Sequence, residues 1–358
     1  MGSKVYFKEI SNDASAALIA QSNLDLILKT DILNKIKNGD FVAIKMHFGD
    51  RDNYGHIKPE TVKILADEIK KRGGRPVLVE TSTLYVGARS NAYDHINIAY
   101  KHGFTYENTG APIVMADGLL GNNQVAVEIN GKHYKKVFVA ADVPHYDFII
   151  SLAHVTGHVI AGVGAAIKNI AMGLASRGGK LSQHSTVSPS INAKKCKKCG
   201  RCKAFCPAGA ITAGAEGIYI IDKVKCIGCG ECLAVCKHDA VNFSWKQASK
   251  IVQEKMAEHA IGVISGKEGR MLYANHAIYV TKECDCMAKK DGRIFDDIGI
   301  FVSDDPVAVD YATLNVIKEK IGKEYKYDEN EPLDPMHQIN HGAAVGLGSK
   351  SYELIKIK

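Results

Sequence analysis

The chain has 358 residues, is 46% hydrophobic and 24% charged, and carries a formal net charge of +7. These proportions belong to an ordinary globular protein of two or more domains and exclude a disordered or fibrous chain. The longest apolar stretch, Val159 to Ala175, is interrupted by Lys168 and Asn169 and is not a membrane span, and the N-terminus lacks an apolar run long enough for export.

Lys4 to Ile10 and Phe41 to Phe48 predict strands, with helical periodicity over Ala14 to Lys37 between them. Thr61 to Arg72 predicts an amphipathic helix stopped by Gly73-Gly74, followed by a buried strand at Val77 to Glu80 and a helix over Asn91 to His102. Gln124 to Ile129 and Tyr134 to Val139 predict a hairpin closed by Asn130-Gly131. A strand at Asp147 to Ala153 and a helix over Ala161 to Ala175 come next. After the cysteine-rich part, the pattern predicts a helix (Ala248 to Ala260), strands (Ile261 to Ser265, Ala277 to Val280, Ile298 to Phe301) and a helix (Pro306 to Glu319), with Asp304-Asp305 as its N-cap. The alternation predicts an α/β body with a layered, mostly parallel sheet.

Eight cysteines fall in two matching runs of C-x2-C-x2-C-x3-C, starting at Cys196 and Cys226. In two-cluster bacterial ferredoxins the fourth cysteine of each run completes the other cluster. The spacing therefore predicts one 4Fe-4S cluster on Cys196, Cys199, Cys202 and Cys236, and a second on Cys206, Cys226, Cys229 and Cys232. Zinc ribbons use pairs of C-x2-C, and disulfide scaffolds are short secreted chains, so neither fits. Pro207 follows the first run, whereas Lys237 stands in its place in the second and is expected to loosen that turn. Gly217 to Asp222 and Ala240 to Trp245 predict short strands, so residues 188–245 are expected to form a small βαββαβ ferredoxin-like α+β domain that interrupts a body of residues 1–187 and 246–358. With both clusters bound the net charge falls to roughly +3. The first run is rich in Lys194, Lys195, Lys197, Lys198, Arg201 and Lys203. These form either a docking face for an acidic redox partner or a solvated rim that offsets cluster charge. Nucleic-acid binding has no support, since no aromatic residues interleave with the lysines. Ten cysteines and oxygen-sensitive cubanes predict a reducing cytoplasm in an anaerobic host.

A second dense segment runs from Leu152 to Asn169, with His154, His158, Gly162, Gly164 and Lys168. An apolar strand, a glycine-rich turn and a helix start offer either an anion site or close strand–helix packing. His47, in Lys45-Met-His-Phe-Gly-Asp50, ends a buried strand and is either a base or metal ligand or a satisfied structural histidine; His56, Arg89 and His184 are candidates on the same grounds. Cys284-Asp-Cys286 is too tight for a cubane; two separate reduced thiols are expected there, with a metal site or a redox pair as the alternatives. His337 and His341 are bracketed by Pro335 and Gly342, against a helical ligand pair.

The blocks Lys45-Met-His-Phe-Gly-Asp50, His56-Ile-Lys-Pro-Glu60, Glu80 to Arg89, Gly164 to Gly173, Cys284-Asp-Cys286 and Ser303 to Asp310 resemble the family called domain of unknown function 362, often labelled iron–sulfur centre protein, over nearly the full length. More distantly, His158, Lys168 and His184 have a spacing similar to that of the nickel-pincer lactate racemase family. That resemblance implies Lys168 as an attachment point for a pincer cofactor, His184 as a nickel ligand and His158 as an acid/base. The expected function is electron transfer through the clusters, between a redox partner protein and a small-molecule ligand site near His154, His158 and Lys168, with His47, His158, Lys168 and His184 as candidate catalytic residues and a small anion, nucleotide or metal as a further bound group. The alternatives are an isomerase-like or ligand-binding body with structural or sensing clusters, and a maturation or scaffold factor for another metalloenzyme.

Overall fold

The computed structural model describes residues 2–185, 188–243, 248–325, 327 and 333–358. Eight strands form one sheet in the spatial order Tyr352–Lys356, Ser3–Glu9, Gly299–Ser303, Met271–Ala277, Phe148–His154, Phe41–Lys45, Arg75–Glu80 and Ile113–Met115. Gly299–Ser303 is antiparallel to both of its neighbours, and every other adjacent pair is parallel. This is the mostly parallel α/β body that the alternation predicts. The central strands read as continuous apolar runs because both of their faces are covered. Ile44, Ile150, Leu272 and Ile300 pack on one side, under the helices Ala16–Ile27 and Pro59–Lys71. Ala43, Ile149, Tyr273 and Phe301 pack on the other, against Ala166–Ala171, Ser249–Ile264 and Pro306–Ile321.

The chain moves outward from strand 41–45 to 75–80 and 113–115, then returns to 148–154 on the opposite side of 41–45. Such a reversal opens a crevice at the carboxyl ends of the two strands. Lys45 and His154 are the last residues of those strands, and Glu80 ends the next one.

Several expectations are corrected. The periodicity over 14–37 resolves into the helix Ala16–Ile27 and a short 3-10 turn, Leu33–Lys35. The helix expected over 161–175 is only Ala166–Ala171, because Gly162–Gly164 pairs antiparallel with Thr156–His158. Residues 261–264 end the helix Ser249–Ile264 rather than forming a strand; most of its residues are buried, which erases the amphipathic signal. The strand expected at 277–280 lies earlier, at Met271–Ala277. In the hairpin of Gln124–Glu128 and Lys136–Ala140, neither Asn130 nor Gly131 takes the positive φ of the tight turn. The connection is wider because the Glu258 carboxylate accepts the amides of Lys132, His133 and Tyr134.

The cysteine segment folds beside the sheet. Its order is strand Ser190–Ile191, helical turn Arg201–Ala204, strands Ile211–Ala213 and Tyr219–Ile221, helical turn Glu231–Val235 and strand Val241–Asn242. First and last strands pair, as do the middle two, around an apolar cluster that includes Cys202, Ile211, Ile221, Cys232 and Val241. The expected strand through Trp245 and the expected boundaries at 187 and 245–246 fall on residues outside the described set.

Candidate functional site

Cys196, Cys199, Cys202 and Cys236 line one cavity, walled by Ile191, Ala240 and Val241. Cys206, Cys226, Cys229 and Cys232 line another, walled by Pro189, Ile211, Ile221 and Ile227. The backbone repeats with the sequence. Left-handed φ angles occur at Lys198 (57°) and Gly200 (75°), and again at Gly228 (69°) and Gly230 (76°). The Ala210 amide donates to Cys206 Sγ at 3.3 Å, and the Ala240 amide to Cys236 Sγ at 3.4 Å. The turn after Cys236 is therefore closed like its counterpart, and Lys237 does not loosen it. Burial pushes the Cys202 thiol up and the Cys232 thiol up to about 12, so an isolated thiolate is disfavoured there. Four sulfur donors in an apolar cavity, with amides donating to sulfur, fit a cubane iron–sulfur group.

The cysteine segment rests on the body at two places. A methyl group on Gly178 would stand 2.1 Å from the Cys229 carbonyl, so backbones meet there and only glycine fits. Asn122 Nδ2 donates to Glu231 Oε2 at 2.8 Å nearby. Further along, Leu84, Tyr85, Val86 and Arg177 face Leu233, Cys236 and Val241 across a shared cleft.

A third cavity, of about 50 Å³, opens at the strand-end crevice and is lined by His47, His154, Thr156, Lys168, Asn169, Cys284, Asp285 and Cys286. Asn169 bridges the two strands that part there. Its Nδ2 donates to Ser151 Oγ at 2.9 Å and to the Leu152 carbonyl at 3.2 Å, while its Oδ1 accepts from Lys45 Nζ at 3.0 Å. Lys45 is ion-paired with Glu80. Lys168 is half-buried and has no hydrogen-bond or ion-pair partner among the described residues. Burial, opposed by Asp285 and assisted by Arg89 and Lys45, brings its pKa down to about 8.

His154 donates from Nδ1 to Asp285, 2.9 Å away, and from Nε2 to the Ile278 carbonyl at 3.0 Å. Burial opposes its charge, but Asp285 and the carbonyls outweigh it and raise its pKa. His47 accepts the Gly49 amide at Nδ1 (2.9 Å), and Arg89 Nη1 stands 2.8 Å from its Nε2. Burial and then Arg89 hold its pKa well below the usual range. His47 is thus a neutral wall of the cavity, and its ring can accept from only one of the two donors that reach it, the Gly49 amide and the Arg89 guanidinium. Arg89 is held in turn by Asp50 at 2.9 Å and by the Tyr85 hydroxyl at 2.6 Å.

His158 and His184 do not line this cavity. His158 accepts the Ala161 amide at 3.0 Å, and burial, then Lys168 and His184, hold it neutral. His184 is brought down to about 3 by burial first and then by Lys168. The three residues share one neighbourhood, but only Lys168 reaches the crevice. Gly164 lines the crevice cavity beside Lys168, whereas Gly162 lies outside it. The first helical amides, Ala166 and Ile167, donate to Asp310 at 2.9 and 3.0 Å, so the protein's own carboxylate fills the place offered to a ligand. His56 is a packing residue, stacked on His102 at 4.5 Å. His337 and His341 do share a helix, Met336–Ala344, and His341 bonds Glu258 at 2.8 Å. Cys284 and Cys286 form a disulfide, against the expectation of separate thiols. Sequence reasoning passed over Asn169, Asp285 and Tyr85; the position of Lys45, Glu80 and His154 at the ends of parallel strands was the signal that could have led to them.

No helix among the described residues is long and apolar enough to cross a membrane. No curated protein matches the chain. Among solved structures, the lactate racemase apoprotein from Thermoanaerobacterium thermosaccharolyticum is similar at 12% identity and a TM-score of 0.42, covering 77% of this chain and 50% of its own. A crystal structure of a Thermotoga maritima protein is similar at 11% identity and a TM-score of 0.42, covering 81% of this chain and 56% of its own. The chain thus spans about half the length of each. A family model matches residues 42–315, well over half of the 358, and the chain belongs to that family, described as Domain of unknown function (DUF362).

Proposed function

We propose that this protein binds two 4Fe-4S clusters in an inserted ferredoxin-type domain, residues 188–245, and carries electrons between a redox partner and a small ligand at Lys168. The observation that carries this reading is the sorting of eight thiols into two four-thiol cavities, each combining three cysteines of one run with the last of the other. Bound cubanes supply single electrons at low potential. The chain's own part is to provide the thiolates, exclude water with isoleucine and valine walls, and donate amides to Cys206 and Cys236. The exposed Lys194, Lys195, Lys197, Lys198 and Lys203 suit an acidic partner beside the first cavity. At the crevice, the unpartnered Lys168 ammonium suits a small carboxylate or other anion.

Anaerobic reconstitution tests this reading. About eight irons and eight sulfides per chain are expected, with two one-electron couples in a redox titration. Cys199→Ala should lose one couple, and the survival of both would refute the ligand assignment.

A second reading, an isomerase-like pocket, is favoured by the shared electrostatic neighbourhood of His158, Lys168 and His184. Nickel in the purified protein, or added mass on Lys168, would support it over electron transfer.

A further inference from the structure

The Cys284–Cys286 bridge occupies an unusual place for a structural staple. It joins residues two apart, so it closes almost no loop and restrains almost none of the unfolded chain. The bridge instead lines the crevice cavity together with Lys168, His47 and Asn169. Its loop is fixed over that cavity from three directions. The Asp50 amide donates to the Asp285 carbonyl at 2.9 Å, the Asp285 carboxylate holds His154, and the Cys286 carbonyl accepts from the Tyr85 hydroxyl at 3.3 Å and from Arg89 Nη2 at 3.4 Å.

Tyr85 also has a second neighbour. It lines the cleft that separates the body from the cysteine segment, where Cys236 and Leu233 form the facing wall. Tyr85 therefore bonds the backbone of the bridge loop through its hydroxyl and also lines the cleft where Cys236 stands. Glycine at 178 and the Asn122–Glu231 bond set this docking.

We propose that Cys284 and Cys286 are a redox-active pair that collects electrons arriving across Tyr85 from the Cys236 side and stores them as two thiols facing Lys168. The inference rests on the electron-transfer reading above. In the step, the S–S bond breaks, and each sulfur gains one electron and one proton. The oxidised party is a low-potential one-electron donor, which gives up two electrons in turn. Lys168, partly buried and lining the same cavity, can pass protons to the sulfurs. Once reprotonated, the Lys168 ammonium in the same cavity eases loss of a proton from one of the two thiols, so the reduced pair can give two electrons to a small ligand there as its disulfide re-forms. The pair would thus convert single-electron supply into a two-electron output.

The test uses the reconstituted protein with its iron counted, a viologen radical as the one-electron donor, an alkylating quench, and mass analysis of the peptide carrying Cys284 and Cys286. The expected result is bleaching of the iron–sulfur absorbance and a gain of two alkyl groups on that peptide. Tyr85→Leu, which leaves all ten cysteines in place, should lose this gain within the time the unaltered chain needs to complete it, at unchanged iron content. Full iron and full bleaching with no alkylation overturn the inference and leave the proposed function standing. Equal rates in Tyr85→Leu and the unaltered chain overturn the route across Tyr85. Failure to take up iron sinks the proposed function, and the inference with it.

Discussion

Lys168 is a half-buried cation with an open end in the crevice, and its pKa near 8 follows first from burial. Its ammonium is present below that pKa and lost above it, so anion binding should be constant from pH 6 to 7 and weaken above 8 by about tenfold per pH unit. Titration calorimetry with a small carboxylate at several pH values would show this; affinity that is flat to pH 10, or absent throughout, would contradict it. Gly173 makes a sharper point about space. A methyl group there would fall 2.3 Å from both the Asn169 carbonyl and Lys45 Cε. Gly173→Ala should therefore cost about 2–3 kcal/mol, read as a lowered denaturation midpoint, because the buried Lys45–Glu80 pair has nowhere to move. At this scale the sequence showed which residues were chemically capable but not which were already spoken for. His47, His56 and His158 looked available, and each is engaged by a backbone amide, a guanidinium or a stacked ring drawn from elsewhere in the chain.

Elements depend on remote side chains in the same way. The helix Ala166–Ala171 begins where it does because Asp310, far along the chain, accepts its first two amides and also the Asn275 amide at 2.8 Å. Asp310→Ala should destabilise the fold by about 2–4 kcal/mol, since it leaves buried donors unmet; a midpoint unchanged within error would contradict the capping role. Gly178 works between elements. Gly178→Ala pushes a methyl group into the Cys229 carbonyl, so the cysteine segment should lift from the body while keeping its own small core. Hydrogen exchange should rise at residues 84–86 with iron content unchanged, and exchange that stays as slow as before would contradict the proposed docking. Strands with continuous apolar runs were legible because burial on both faces leaves a plain signal. The ends of Ser249–Ile264 and of the 124–140 hairpin were not, because Glu258 and the surrounding core set them through contacts that local pattern does not encode.

For the whole molecule, the mostly parallel sheet and the two thiol groupings were both readable in advance. Period and spacing are local properties, and each dictated its own geometry. The crevice was not readable, because it arises from the reversal of strand order between Phe41–Lys45 and Phe148–His154, which only the assembled sheet reveals. That reversal opens the cavity lined by Lys168, and the cysteine segment is docked nearby through Gly178 and faces Tyr85. The account stands or falls on what the eight thiols hold. Oxygen-free reconstitution followed by iron, zinc and sulfide analysis is the direct measurement: about eight irons and eight sulfides per chain, without zinc, is the predicted result. Zinc in the thiol cavities, or iron near four atoms or fewer, would contradict it.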